Sequence, residues 1–141
     1  MVKKAKAPLK LDLGCGIHKQ VGFHGVDVRK FEGVDTVADL RKKWPWRDNS
    51  VAEVHCSHFV EHLTAPERIH FVNELHRVME KGAKATIITP HWASCRAYGD
   101  LTHQWPPVSE FWWYYLSKSW REGTKEQDYK DANAPHNDGY T

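Results

Sequence analysis

The sequence contains no apolar run approaching the roughly 20 residues that cross a bilayer, so no membrane-spanning helix is expected. Cysteine is scarce as well. Cys15, Cys56 and Cys95 are three in number and form no Cys-x-x-Cys pair, which argues against a disulfide framework or a zinc knuckle and for reduced thiols. A dominant charge is missing too: 20 Lys and Arg against 18 Asp and Glu leave +2, too little by itself to argue for nucleic acid. The clusters Lys3, Lys4, Lys6 and Lys10 and Arg41-Lys42-Lys43 read as solvated surface. Residues 1–8 are lysine-rich without the apolar stretch of a signal peptide, so a cytoplasmic protein with no membrane partner is expected. The 141 residues show no internal repeat and suit one domain with flexible tails at 1–8 and about 121–141.

Seven Trp and ten His stand out in the composition, and one stretch stands out in the order. Leu11-Asp12-Leu13-Gly14-Cys15-Gly16 is an apolar run ending in Gly-x-Gly, the pattern of a buried parallel strand entering a tight loop where bare backbone can meet a ligand. Gly25-Val26-Asp27 follows, a second apolar run closed by a carboxylate of the kind that accepts hydrogen bonds from ribose hydroxyls. Asp12 stands inside an otherwise apolar strand, and a buried carboxylate is costly unless paired. A cationic ligand would pair with it. A dinucleotide would bring a pyrophosphate instead, and Lys19 replaces the third glycine of that fingerprint.

The strand at 9–13 is followed by one at 24–28, and residues 17–23 between them are too few for a full crossover helix. Further strands are expected at 36–38, 51–56 and 84–89, with a surface loop around Trp44-Pro45-Trp46 held by aromatic contacts. Thr64-Ala65-Pro66-Glu67 is a capping box, and Ile69, Val72, Leu75, Val78 and Met79 recur at helical spacing up to a stop at Gly82. Ser109 opens a short aromatic helix over 110–116.

Leu-Asp-Leu-Gly-Cys-Gly followed by Gly-Val-Asp resembles the opening motifs of class I S-adenosylmethionine-dependent methyltransferases, and the resemblance covers about residues 9–116. It implies an α/β fold: a Rossmann-like, mostly parallel sheet of about five strands flanked by helices. The C-terminal antiparallel hairpin of the full methyltransferase fold is not found. The strand at 84–89 would then be an open edge for the aromatic helix, a homodimer or a partner subunit to cover. The implied cofactor is S-adenosylmethionine, leaving as S-adenosylhomocysteine. The implied cofactor-binding residues are Asp12, Gly14, Cys15, Gly16 and Asp27, with Asp39 and Leu40 at the adenine and the backbone of Ser57 and His58 at the methionine part. Glu61-His62-Leu63 matches the family's Glu-His-Leu and is expected to brace its loop, and Gly99-Asp100-Leu101-Thr102-His103 is similar to a segment that lies near the acceptor.

The implied activity is methyl transfer to a nitrogen or oxygen of a small-molecule acceptor, with nucleic acid left open. His91 and His103 are the candidate catalytic bases, because imidazole titrates near neutral pH. Tyr98, Trp92 and Trp105 would form an aromatic wall. Cys15 need not act as a nucleophile in a direct displacement. Two alternatives stand beside this reading. A trimmed fold could be a non-catalytic S-adenosylmethionine-binding subunit that needs a partner chain. His58-Phe59-Val60-Glu61-His62 also spells the His-x-x-Glu-His of inverted zinc peptidases. That pattern requires a continuous helix, whereas Thr64 and Pro66 start a new one at once, and nothing nominates a third ligand, so no metal is expected.

Overall fold

Alternation along the first strand sets the two faces of the sheet. In the computed structural model, which describes residues 7–121, β1 (Lys10–Leu13) pairs with β2 (His24–Asp27) on one side and β4 (Val51–Ser57) on the other. β3 (Thr36–Val37) and β5 (Met79–Ile88) complete a sheet of five parallel strands in the order β3-β2-β1-β4-β5. Register aligns Leu11 with Val54 and Leu13 with Cys56, so these side chains share one apolar face. Lys10 aligns with Glu53 and Asp12 with His55, so the opposite face is polar.

The apolar face is covered by α1 (Ala65–Val78), which carries Phe71, Val72, Leu75 and Val78 into the same core as Leu11, Leu13, Val26 and Val54. The capping box forms as expected: Glu67 Oε2 accepts from the Thr64 amide at 2.8 Å. Two features differ from the expected helix. Its buried stripe includes Arg68 and Glu74, while Ile69 is only half-buried. It also ends at Val78 rather than at Gly82. The amides of Asn49 and Ser50 cap the carbonyls of Arg77 and Val78, at 3.0 and 2.8 Å, which lets the chain turn extended at Met79. Gly82 then falls inside β5, at φ +81°, where the register with β4 shifts.

The Trp44–Trp46 loop is held by more than its ring contacts. Glu74 accepts from the Trp44 amide at 2.7 Å and from both Arg77 Nε and Nη2 at 2.7 Å, while Arg77 also donates to the Trp44 and Trp46 carbonyls and to Asp48. Trp44 itself packs edge-on to Phe71, with ring centres 5.3 Å apart.

The link from β1 to β2 contains no helix, and it lies against the polar face instead. The Gln20 amide donates to Asp12, and the Phe23 ring meets His55 edge-on at 6.1 Å and lies under the Lys10 ammonium. β5 has β4 on one side and no strand on the other among the described residues. α2 (Glu110–Tyr114) is shorter than expected, and the Ser109 side chain at its start makes no capping bond. Trp112 and Trp113 pack against the core. The expected flexible tails lie outside the described residues except for Ala7, Pro8 and Arg121. Arg121 is ordered: it is buried and donates to the Tyr115 carbonyl at 2.6 Å. No helix among the described residues is long and apolar enough to cross a membrane.

Two measurements check this packing. Phe71→Ala removes a fully buried ring between Trp44 and Phe59, and urea unfolding should show a loss of about 3–5 kcal/mol; a loss below about 1 kcal/mol would contradict the core as drawn. The Arg77 guanidinium bonded to it holds the Glu74 carboxyl below its ordinary value. Its stabilisation is therefore complete above the unfolded-state pKa and is lost as pH falls through the folded value. The melting-temperature gap between wild type and Glu74→Gln should be widest near neutral pH and close on acidification; a gap that stays constant would refute the ion-pair account.

Candidate functional site

The carboxyl ends of the strands gather the chemistry in two halves. Over β1, β2 and β3 the glycine loop dominates. Its Gly14 and Cys15 amides both donate to the Val26 carbonyl, at 2.8 and 3.1 Å, which ties the loop to β2. Asp27 closes β2 and binds the loop from the side: Oδ2 accepts from the Gly16 amide and Oδ1 from the Arg29 amide, each at 3.0 Å. Gly16 lies at φ +51°, and a Cβ placed there would meet nothing within 4 Å. That space is open. Exposed apolar side chains border it: Ile17 follows Gly16, Val28 follows Asp27, and Val37 is the register partner of Asp27.

Gly14 is bare for a reason within the protein: a Cβ there would lie 2.6 Å from the Phe59 ring, so its missing side chain admits Phe59. Cys15 is buried, and burial, followed by the Asp12 and Asp27 charges, pushes its thiol pKa up, which keeps it a protonated, poor nucleophile.

Asp12 also differs from the expectation that a ligand cation balances it. At 2% exposure it already has partners inside the protein: Oδ1 lies 2.9 Å from His55 Nδ1 and Oδ2 accepts from the Gln20 amide at 2.6 Å. Its role is to hold the loop. Asp39 accepts from its neighbour Arg41 through Nε at 2.9 Å, Nη2 at 3.1 Å and the backbone amide at 3.1 Å, and these bonds, the side-chain ones foremost, hold its carboxyl below the usual range. A ligand at Asp39 would displace that fork. Leu40 is buried in the core, and its carbonyl accepts from Trp44 Nε1, so its side chain supports the loop and does not face the crevice.

The second half lies over β4 and β5. Ser57 ends β4, and His58 follows in the left-handed region at φ +53°, rare for a residue with a side chain and frequent near functional sites. Its amide donates to the Ile88 carbonyl, and its Nδ1 lies 3.2 Å from Glu61 Oε1. A single 3₁₀ turn, Val60–His62, follows, so the helix that an inverted zinc peptidase needs is absent. His58, Pro90, Cys95, Arg96, Gly99, Asp100 and His103 line an open pocket of about 620 Å³. His103 donates from Nδ1 to the Ala97 carbonyl at 3.0 Å. His91 lies elsewhere along this edge, exposed, stacked on Trp92 and 3.4 Å from Glu110. Trp92, Tyr98 and Trp105 are exposed as well.

Arg68 assembles this half, and the sequence pattern alone did not nominate it. It is buried on the core side of α1 and donates to the carbonyls of Val60, Gln104 and Pro106, at 3.2, 3.0 and 2.6 Å. The Gln104 amide returns a bond to the Glu61 carbonyl at 2.8 Å. Together these bonds set His103 beside Glu61 and His62. A cation in the apolar stripe of a helix was the available signal.

The chain is similar to the crystal structure of a SAM-dependent methyltransferase from Archaeoglobus fulgidus, with a TM-score of 0.63 and 22% identity over 84% of this chain and 61% of that one. The chain has a Rossmann-like methyltransferase fold. It spans 61% of the length of that protein. No protein-family model and no curated protein matches it.

The loop-holding role of Asp12 can be measured. Asp12→Ala leaves the Gln20 amide and His55 without their partner, so hydrogen exchange at Gln20 should accelerate and stability fall by about 1–3 kcal/mol. Unchanged protection at Gln20 would show that something else holds the loop.

Proposed function

We propose that the chain binds S-adenosylmethionine over β1, β2 and β3 and transfers its methyl group to a nitrogen or oxygen of a small-molecule acceptor held over β4 and β5. The observation that carries this reading is Asp27: a carboxylate at the end of β2, fixed by the Gly16 amide, beside the open space at Gly16 and bordered by Val28 and Val37. Those residues fit a nucleoside, with Asp27 accepting from the ribose hydroxyls and the apolar side chains meeting the base. The Archaeoglobus fulgidus protein that shares the fold is SAM-dependent, which agrees with that choice of cofactor.

When bound, the cofactor supplies a methyl carbon already made electrophilic by its sulfonium, so no covalent nucleophile is required of the protein. The chain's own work is alignment and exclusion of water. Asp39 would exchange Arg41 for the adenine amine. The backbone at Ser57 and His58, between the two halves, would meet the methionine part. A hydroxyl or ammonium acceptor must lose a proton. Of the two candidate bases, His103 lines the pocket and keeps an unprotonated Nε2 in its neutral form, whereas His91 lies beside Glu110.

The open edge of β5 supports a second reading, in which a homodimer or a partner subunit covers that edge and the isolated chain binds the cofactor without turning it over. Turnover by the isolated chain would remove it.

Calorimetric titration with S-adenosylmethionine and S-adenosylhomocysteine tests the donor site. Wild type should bind both, and Asp27→Ala should bind at least about tenfold more weakly, the loss of one to two hydrogen bonds to a carboxylate. No binding by wild type would remove the function; equal binding by the variant would remove the ribose assignment.

A further inference from the structure

Glu61 is 3% exposed, yet its Oε2 has no hydrogen-bond partner among the described residues. A carboxylate oxygen taken out of water without a partner bears its full desolvation cost, and such an atom calls for an explanation, an ion among them. Two imidazoles stand next to the Glu61 carboxylate: one donor atom each from Glu61, His62 and His103 lie within 4.8 Å of one another.

Hydrogen bonding decides which nitrogen each ring offers. His103 Nδ1 donates to the Ala97 carbonyl, so its lone pair is on Nε2. The Thr102 hydroxyl has a single proton and gives it to Asp100 Oδ1 at 2.7 Å. The same hydroxyl oxygen lies 3.0 Å from His62 Nδ1 and must accept from it, so His62 also keeps its lone pair on Nε2. Two rings with one nitrogen tied back to a carbonyl or, through a hydroxyl, to a carboxylate are in the state that metal-binding histidines adopt.

We propose that Glu61, His62 and His103 form a binding site for one divalent transition-metal ion. Two imidazoles and a carboxylate suit Zn²⁺ and its neighbours in the first row better than Mg²⁺ or Ca²⁺, which prefer oxygen alone. Asp100 Oδ2 lies 3.8 Å from His103 Nε2 and offers a further oxygen. The three atoms lie within 4.8 Å of one another, against roughly 3.4 Å between ligands of a tetrahedral ion with bonds of about 2.1 Å, so binding would draw the exposed His62 ring inward about its bond to Thr102. Of the three ligands, His103 also lines the pocket that His58, Arg96 and Asp100 border. The set differs from the peptidase pattern, because His58 is turned onto Glu61 Oε1 and the third ligand comes from His103. An imidazole that binds a metal through Nε2 cannot take a proton there, so this role and that of a base exclude each other at His103.

The test needs neither donor nor acceptor. Tag-free full-length chain, stripped with chelator, is titrated calorimetrically with ZnCl₂ and with MnCl₂, and bound metal is counted by elemental mass spectrometry. One ion per chain is expected, with at least about tenfold weaker binding in His62→Ala and in His103→Ala. His62 is exposed, so its variant keeps the fold and decides the matter even if His103→Ala does not. Cys95→Ser, beside the same pocket, should bind as wild type does. Absence of a stoichiometric ion in wild type, undiminished affinity in His62→Ala, or loss of the ion in Cys95→Ser would each overturn the proposal.

Discussion

A carboxylate buried in a sheet must be paired, and the pairing of Asp12 shapes everything at the carboxyl edge. One oxygen is bound by His55 from the neighbouring β4, and the other by the amide of Gln20 from the loop that leaves β1. The second bond draws the β1–β2 link down across the polar face, where a doubly wound fold would place a helix. The loop is thereby short, tied at both ends, and turned so that Gly16 and Asp27 meet. Removing the charge from Asp12 would therefore reach further than its own two bonds.

What could be read from the sequence divides along the range of the interactions involved. The strands at Lys10–Leu13, His24–Asp27 and Val51–Ser57 were legible because alternation and apolar runs are local properties, as is the Thr64–Glu67 cap that starts α1. The end of α1 was not legible, because the groups that cap it come from Asn49 and Ser50, far back in the chain. The same contrast holds at the site. Asp27 and Gly16 are near in sequence, and their juxtaposition could be inferred from the motif. Gly14 stands in the same motif but is claimed by Phe59 from after β4, and Leu40 is claimed by the core. Neither claim leaves a mark within a few residues of its target.

The histidine cluster shows the limit most clearly. Glu61 and His62 stand side by side in the sequence, while His103 is brought to them by buried Arg68, which binds the carbonyls of Val60, Gln104 and Pro106, and by the bonds of Gln104 to Glu61 and Thr102 to His62. A guanidinium, with several donors in a fixed fork, can hold two chain segments at once where no sheet or helix joins them. Burial lowers the pKa of Arg68, and the nearby Glu61 charge works against that shift.

The two halves of the edge are chemically unlike, carboxylates and apolar side chains over β2 and β3, imidazoles over β4 and β5, and something must fix their spacing if a group is to pass between them. Phe59 does so. It leaves the end of β4, its ring lies on Gly14 at the end of β1, and its far side tilts against Phe71 of α1 with ring centres 5.8 Å apart. Any side chain at position 14 would have to displace that ring, and with it the turn that carries Glu61 and His62. The bare glycine of the first motif thus sets the distance between the halves, while the open glycine two residues on leaves the space that a ligand would fill.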